Sequence, residues 1–200
     1  MAALDYSGVL DAAASLPRHG GVTAGGSLPG HPFFGAMFLF VGALLVVEIL
    51  AGPVWHRARW RTMLWPASLI VSGFGMLAVT AVQPDQKGLH LMLVVLLFIG
   101  GFFEARYRLG QITRTTADGF AIPALILGGF VIGPMHASGP ITNPVALIHQ
   151  FVGVVCWMLA GIRLMQYRWG STAALDTTFG CGVMMLGLSL LLVQQFHGGH

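Results

Sequence analysis

Long apolar runs alternate along the chain with short polar connections. The runs cover 33–55, 63–83, 88–105, 119–135, 145–166 and 173–196. Each falls near the 17 to 25 residues, roughly, that a helix needs to cross a bilayer. The pattern predicts an all-α, polytopic membrane bundle of six transmembrane helices. The connections are short, so successive helices should run antiparallel. One transmembrane domain, 31–200, follows a tail, 1–30. In that tail "DYSGVLDAAASL" reads as a small surface helix and "RHGGVTAGGSLPG" as a flexible lead-in.

Composition sharpens this picture. Hydrophobic residues make up 56% of the 200 residues and charged residues only 8%, against about 25% charged in a soluble domain. Such a chain cannot cover itself with polar surface, so the lipid bilayer is its main partner. The first 30 residues lack a basic start and an apolar core, and so do not read as a signal peptide.

The few charges are placed unevenly. "HRARWR" after the first span holds Arg57, Arg59 and Arg61; "RYRLGQITR" after the third holds Arg106, Arg108 and Arg114; "RLMQYR" after the fifth holds Arg163 and Arg168. These alternate connections share one side. The other side has only Arg18 and Lys87. Basic loops stay in the cytoplasm, which predicts Arg-rich loops inside and both termini outside. The net charge of +3 is thus a topology signal and gives no reason to expect a nucleic-acid partner.

Glycine is frequent within the spans, as in "SGFG", "GGFVIG" and "GCGVMMLG". Small residues let helix backbones approach in lipid. Gly129 and Gly133 form a G-x-x-x-G pair, read first as packing within one subunit and second as a face for a homo-oligomer or a partner membrane protein. Pro66, Pro123 and Pro134 are expected near span ends, where a lost hydrogen bond costs least. Cys156 and Cys181 lie at depths that differ by about 12 Å at 1.5 Å per residue. They read as buried small apolar residues rather than a disulfide.

Histidine follows the opposite side from arginine. His31 precedes span one, His90 opens span three, His136 follows span four and His149 opens span five; His197 and His200 close the chain and His19 lies in the tail. Only His56 falls among the arginines. Met37, Met92 and Met135 lie near the histidine level. Imidazole is the commonest metal ligand: it suits tetrahedral zinc and copper, and it ligates haem b. The plain alternative is that interfacial histidines are solvated edge residues. His31, His90, His136 and His149 are the candidate cofactor- and metal-binding set, with Asp85, in the turn between spans two and three, placed to join them. Other acids have structural readings: Asp118 and Asp176 at helix starts, where the dipole favours them, and Glu104 beside Arg106 and Arg108. Glu48, deep in span one, needs a partner or a proton.

No G-x-S-x-G, Walker, C-x-x-C or C-x-x-C-H motif occurs, and Ser72 and Ser189 have no base beside them in sequence. No catalytic residue stands out. Three stretches, "GHPFFGAMFLFVG", "LHLMLVVLLFIGGFFEARY" and "GGFVIGPMHASGPITNPVALIHQFVG", resemble the transmembrane protein 45 family, multi-span proteins of undefined activity. The resemblance makes His31, His90, His136 and His149 the family-type histidines, although Gly128 and Gly129 stand where that family carries a glutamate. The expectation is a membrane protein with a histidine site for zinc, copper or haem, serving metal handling or electron transfer. The alternatives are a non-enzymatic accessory or scaffold subunit of a membrane complex and, third, a zinc-dependent lipid hydrolase.

Overall fold

The computed structural model describes residues 30–82, 87–135 and 144–197. Every element among them is helical: α1 Gly30–Ala51, α2 Pro53–His56, α3 Arg59–Thr62, α4 Leu64–Val82, α5 Lys87–Arg108, α6 Arg114–Phe130, α7 Pro144–Trp169 and α8 Ala173–His197. A five-residue π-helical segment, Val131–Met135, continues α6. Six of these helices are long and apolar enough to cross a membrane, the build of a multi-pass membrane protein. Large apolar side chains such as Phe40, Leu50, Phe74, Val95 and Met158 stand exposed on the bundle. In water that surface would be costly, and in lipid it costs nothing.

The six spans close into a ring. α1 packs on α4, α4 on α5, α5 on α6, α6 on α7, α7 on α8, and α8 back on α1. The first and last spans therefore seal the bundle, and their shared face is its most extensive. α7 is the most enclosed, with 50% of its span buried against a third or less elsewhere. Its Val152, Val155, Cys156, Leu159 and Ile162 form a core with Val41 and Leu45 of α1, Trp65 of α4, and Phe179, Val183 and Leu186 of α8.

Glycine sets the close approaches. A Cβ on Gly42 would stand 2.5 Å from the backbone N of Met184 and 2.7 Å from the carbonyl of Gly180; one on Gly187 would stand 2.6 Å from the carbonyl of Gly35. These positions let α1 and α8 touch backbone to backbone. Gly129 and Gly133 meet Gly153 of α7 in the same way, since a Cβ on Gly153 would lie 2.7 Å from the Gly129 carbonyl and 2.9 Å from the Gly133 Cα. The G-x-x-x-G pair is used inside the subunit.

Several helix ends depart from the sequence expectation for identifiable reasons. Span one stops at Ala51, where Gly52 adopts φ 54° and donates its N–H to the Glu48 carbonyl at 3.0 Å; Pro53 then starts α2. Span three runs on to Arg108 because its charges are paired. It ends where Gly110 takes φ 72° and the N–H groups of Gly110 and Gln111 bond the carbonyls of Tyr107 and Arg106, each at 2.9 Å, the glycine-terminated cap. Span four begins earlier than the apolar run, at Arg114, capped by the Thr113 hydroxyl accepting from the Thr116 N–H at 3.2 Å. That shift places Pro123 in the helix interior rather than near its end. Cys156 is buried and Cys181 exposed, and both are free thiols; Cys181 is thus a surface residue, correcting the expectation of burial. Ser189 bonds its hydroxyl back to the Met185 carbonyl at 2.7 Å, a satisfied residue in an apolar span. The tail helix expected before residue 30 lies outside the described residues.

The α1–α8 seam yields a direct check. Gly42→Ala forces two backbones apart and should lower stability by about 1–3 kcal/mol. Gly161→Ala meets open space and should be neutral or stabilising by up to about 1 kcal/mol. Thermal unfolding in detergent measures both, and equal stability of the two variants would mean that the seam is not packed as described.

Candidate functional site

Antiparallel packing puts polar side chains at two opposite ends of the bundle. At one end stand the openings of α1, α5 and α7, with His31, His90 and His149. The imidazoles of His31 and His149 meet edge to face, with ring centroids 5.5 Å apart and planes at 68°. His149 and His90 are each only 6% exposed. All three are engaged by neighbouring groups. His149 lies against the π-helical segment, its carbonyl 3.9 Å from where a Cβ on Gly133 would be. A glycine there lets α7 slide close and carry His149 inward.

The structure thus joins two of the four candidate histidines. His90 is buried at the same end. His136 and Asp85 lie outside the described residues, as do His19, His200 and the side chain of His197. Among the described residues no group of three or more His, Cys, Asp or Glu is arranged to hold a metal ion. Met92 and Met135 are exposed on the bundle surface, so neither lines an interior site at the histidine level.

The other end holds a connected network of charges that sequence reading left in pieces. Arg108 of α5 bonds Glu48 of α1 and also Glu104 one turn back, at 3.0 Å. Arg114 of α6 places its Nε 2.9 Å from Asp118 Oδ2 and 3.1 Å from Oδ1. Its Nη2 reaches Gln166 of α7 at 3.3 Å. Gln166 donates to Asp176 of α8 at 2.7 Å, which Ser171 also contacts. Arg163 of α7 sits between Glu104 and Asp118, 3.8 Å from each. Its guanidinium lies 4.2 Å from the centre of the Phe179 ring, a cation–π contact in a desolvated place. His56 lies 3.8 Å from Glu48.

This network corrects two expectations. Asp118 is 0% exposed and is held by Arg114 rather than by its place at a helix start. Glu104 pairs with Arg108, one of the two arginines expected beside it, and also faces Arg163, whereas the exposed Arg106 bonds Gln111 at 3.1 Å. Glu48 has the partner its depth required. The missed members are Arg163 and Gln166. Their signal was a strong donor and an amide inside the last turns of an otherwise apolar span.

The class defined so far is a multi-pass helical membrane protein with a histidine pair at one end and a buried ion network at the other. Neither known protein families, nor curated proteins, nor solved structures give a match to this chain.

The network's weight can be measured. Arg108→Leu leaves Glu48 and Glu104 without their shared cation and should cost about 3–5 kcal/mol, the usual effect of breaking a buried pair. Arg106→Leu, at an exposed position, should stay within about 0.5 kcal/mol. Denaturant titration of both variants in one detergent gives the comparison; a harmless Arg108→Leu would show that the network bears no load.

Proposed function

We propose that the histidine end binds one transition-metal ion, zinc or copper, for metal handling or electron transfer. The observation that carries this reading is the contact between His31 and His149. A metal held by one nitrogen of each ring, at about 2.0–2.1 Å, lies about 3 Å from each ring centre. The two centres are then about 5 Å apart when the ligands are adjacent in a tetrahedral site, and more than about 6 Å apart when they oppose each other across an ion. The observed 5.5 Å is closer to the adjacent arrangement. It supports a single metal ion over haem b, whose axial ligands oppose each other. His90 and His136 are the proposed further imidazole ligands and Asp85 the proposed oxygen ligand. The resemblance to the transmembrane protein 45 family, drawn from the three stretches that contain these four histidines, belongs to this proposal.

The accessory-subunit reading stands second. It drew on glycine faces free to meet a partner, and the seams at Gly42, Gly187 and Gly153 are already occupied by this chain's own helices. A zinc-dependent lipid hydrolase stands third. Hydrolytic zinc needs three protein ligands and an open water position, and the imidazole contact supplies two of those ligands.

Elemental analysis of protein purified after zinc or copper supplementation should find about one equivalent bound, with no Soret band. His149→Ala and His31→Ala should each lose most of it. A protein that takes up neither metal, although folded, would return the histidines to the role of edge residues and make the accessory reading first. The proposed sidedness, arginine-rich loops inside and both termini outside, rests on the basic-residue bias. Single cysteines placed in each tail of a chain lacking Cys156 and Cys181 should react with impermeant reagent in intact cells, and protection of both tails would invert the arrangement.

A further inference from the structure

The arginines of the buried network have partners, and those of the connection between α1 and α4 do not. Residues 52–63 form this connection, and no Asp or Glu occurs from Ile49 to Pro84. The four acids at this end of the bundle are engaged elsewhere. Arg108 holds Glu48 and Glu104, Arg114 holds Asp118, and Gln166 and Ser171 meet Asp176. The side chains of Arg57, Arg59 and Arg61 make no ion pair and no hydrogen bond among the described residues. Three like charges on one short connection repel, and the described residues hold no counter-charge for them.

The connection is nonetheless ordered. The Trp55 N–H donates to the Gly52 carbonyl at 3.0 Å, the Arg61 N–H to the Ala58 carbonyl at 3.0 Å, and the Met63 N–H to the Trp60 carbonyl at 3.2 Å. The Arg61 guanidinium lies 5.7 Å from the ring centre of Trp55 and 5.6 Å from that of Trp60. These cation–π contacts tie α2 to α3. They also restrain a planar fork of N–H donors that matches phosphate oxygens in pairs. Beside it Trp60 is 64% exposed and Val54 54%, apolar surface that is costly in water. The connection leaves one span at Ala51 and enters the next at Leu64, so it lies at the bilayer surface. Tryptophan settles at headgroup level, and basic residues there meet the charge of anionic lipid. A soluble acidic partner would match the charge, but the bilayer already adjoins the connection and takes its apolar side chains as well.

We propose that residues 52–63 form a binding site for anionic phospholipid. Its headgroup phosphate accepts from Arg57, Arg59 and the ring-held Arg61, while Trp60 and Val54 enter the headgroup layer. The site is independent of the histidine end, of any metal there and of which leaflet the connection faces. The test uses the full chain in phosphatidylcholine bilayers that contain a small fraction of brominated phosphatidylglycerol or, for comparison, brominated phosphatidylcholine. Bromine quenches nearby tryptophan, and the anionic lipid should bind about fivefold more tightly or better, the effect of roughly one basic residue at a charged surface. The excess quenching should disappear in Trp60→Phe and persist in Trp169→Phe, which removes an exposed ring elsewhere. Replacing Arg57, Arg59 and Arg61 together by Gln should abolish it. Arg61→Lys keeps the charge and loses the fork, and should lower it as well. Inorganic phosphate or soluble polyglutamate at matched charge should leave it in place. Equal quenching by the two lipids, or an excess that survives the triple substitution or is untouched by Arg61→Lys, overturns the proposal. Displacement by phosphate or polyglutamate assigns the patch to a soluble anion or an acidic protein and overturns it too.

Discussion

The bundle depends on one constraint: a carboxylate cannot enter an apolar interior alone. Asp118 is fully enclosed and Glu104 nearly so. Both stay because guanidinium groups reach them, from their own helix one turn away and from Arg163 of α7. Replacing such an arrangement by apolar side chains is often neutral or stabilising, so its presence is not explained by stability. What it does supply is uniqueness. Apolar helices slide and rotate against one another at little cost in lipid, whereas a displaced α7 would strand Arg163 and Gln166 together. The network fixes the register of α1, α5, α6, α7 and α8 at once.

Glycine completes what the charges begin. The ions set which residues stand level at one end, and the glycines set how near the backbones come along the length. The α1–α8 seam closes the ring through Gly35, Gly42, Gly180 and Gly187. The α6–α7 seam runs through Gly129, Gly133 and Gly153 to the foot of His149. The π-helical turn with Pro134 continues this seam past Gly129. Proline gives up an N–H there, and a widened turn accommodates the loss.

Much of the architecture was legible because a bilayer imposes length on apolar runs. Their ends were less so, since polar residues extend a helix wherever they find partners: Arg108 lengthens α5 and Thr113 starts α6 ahead of its apolar run. The pairs Glu104–Arg108 and Arg114–Asp118 lie one turn apart on a single helix, a spacing visible in the sequence. Arg108 to Glu48 and Arg114 to Gln166 span 60 and 52 residues, and only packing of separate helices reveals them. Depth along the membrane could be counted from the sequence, but rotation about each helix axis could not. That is why Cys181 was read as buried and stands exposed, while Met92 and Met135 were given a level but no face. The shared level of His31 and His149 was legible, since both stand near the starts of helices that begin at the same end; that their rings meet depends on rotation and was not.

The two ends are linked through the same three helices. α1 carries His31 and Glu48, α5 carries His90 with Glu104 and Arg108, and α7 carries His149 and Arg163. Fourteen residues separate the two ends on α5 and on α7, about 21 Å of helix at 1.5 Å per residue. Hydrogen-bonded helices of this length bend only gently. A helix pinned by an ion network at one end and by glycine contacts along its side has little freedom left at the other. Ligand sites need that fixity, because the side chains that touch a ligand must hold position to within about 0.5 Å. His31 and His90 stand in opening turns, where a helix has the fewest backbone bonds of its own, and His149 stands in the second turn of α7. Their position therefore depends on restraint applied farther down the same helices, and the buried charges supply it.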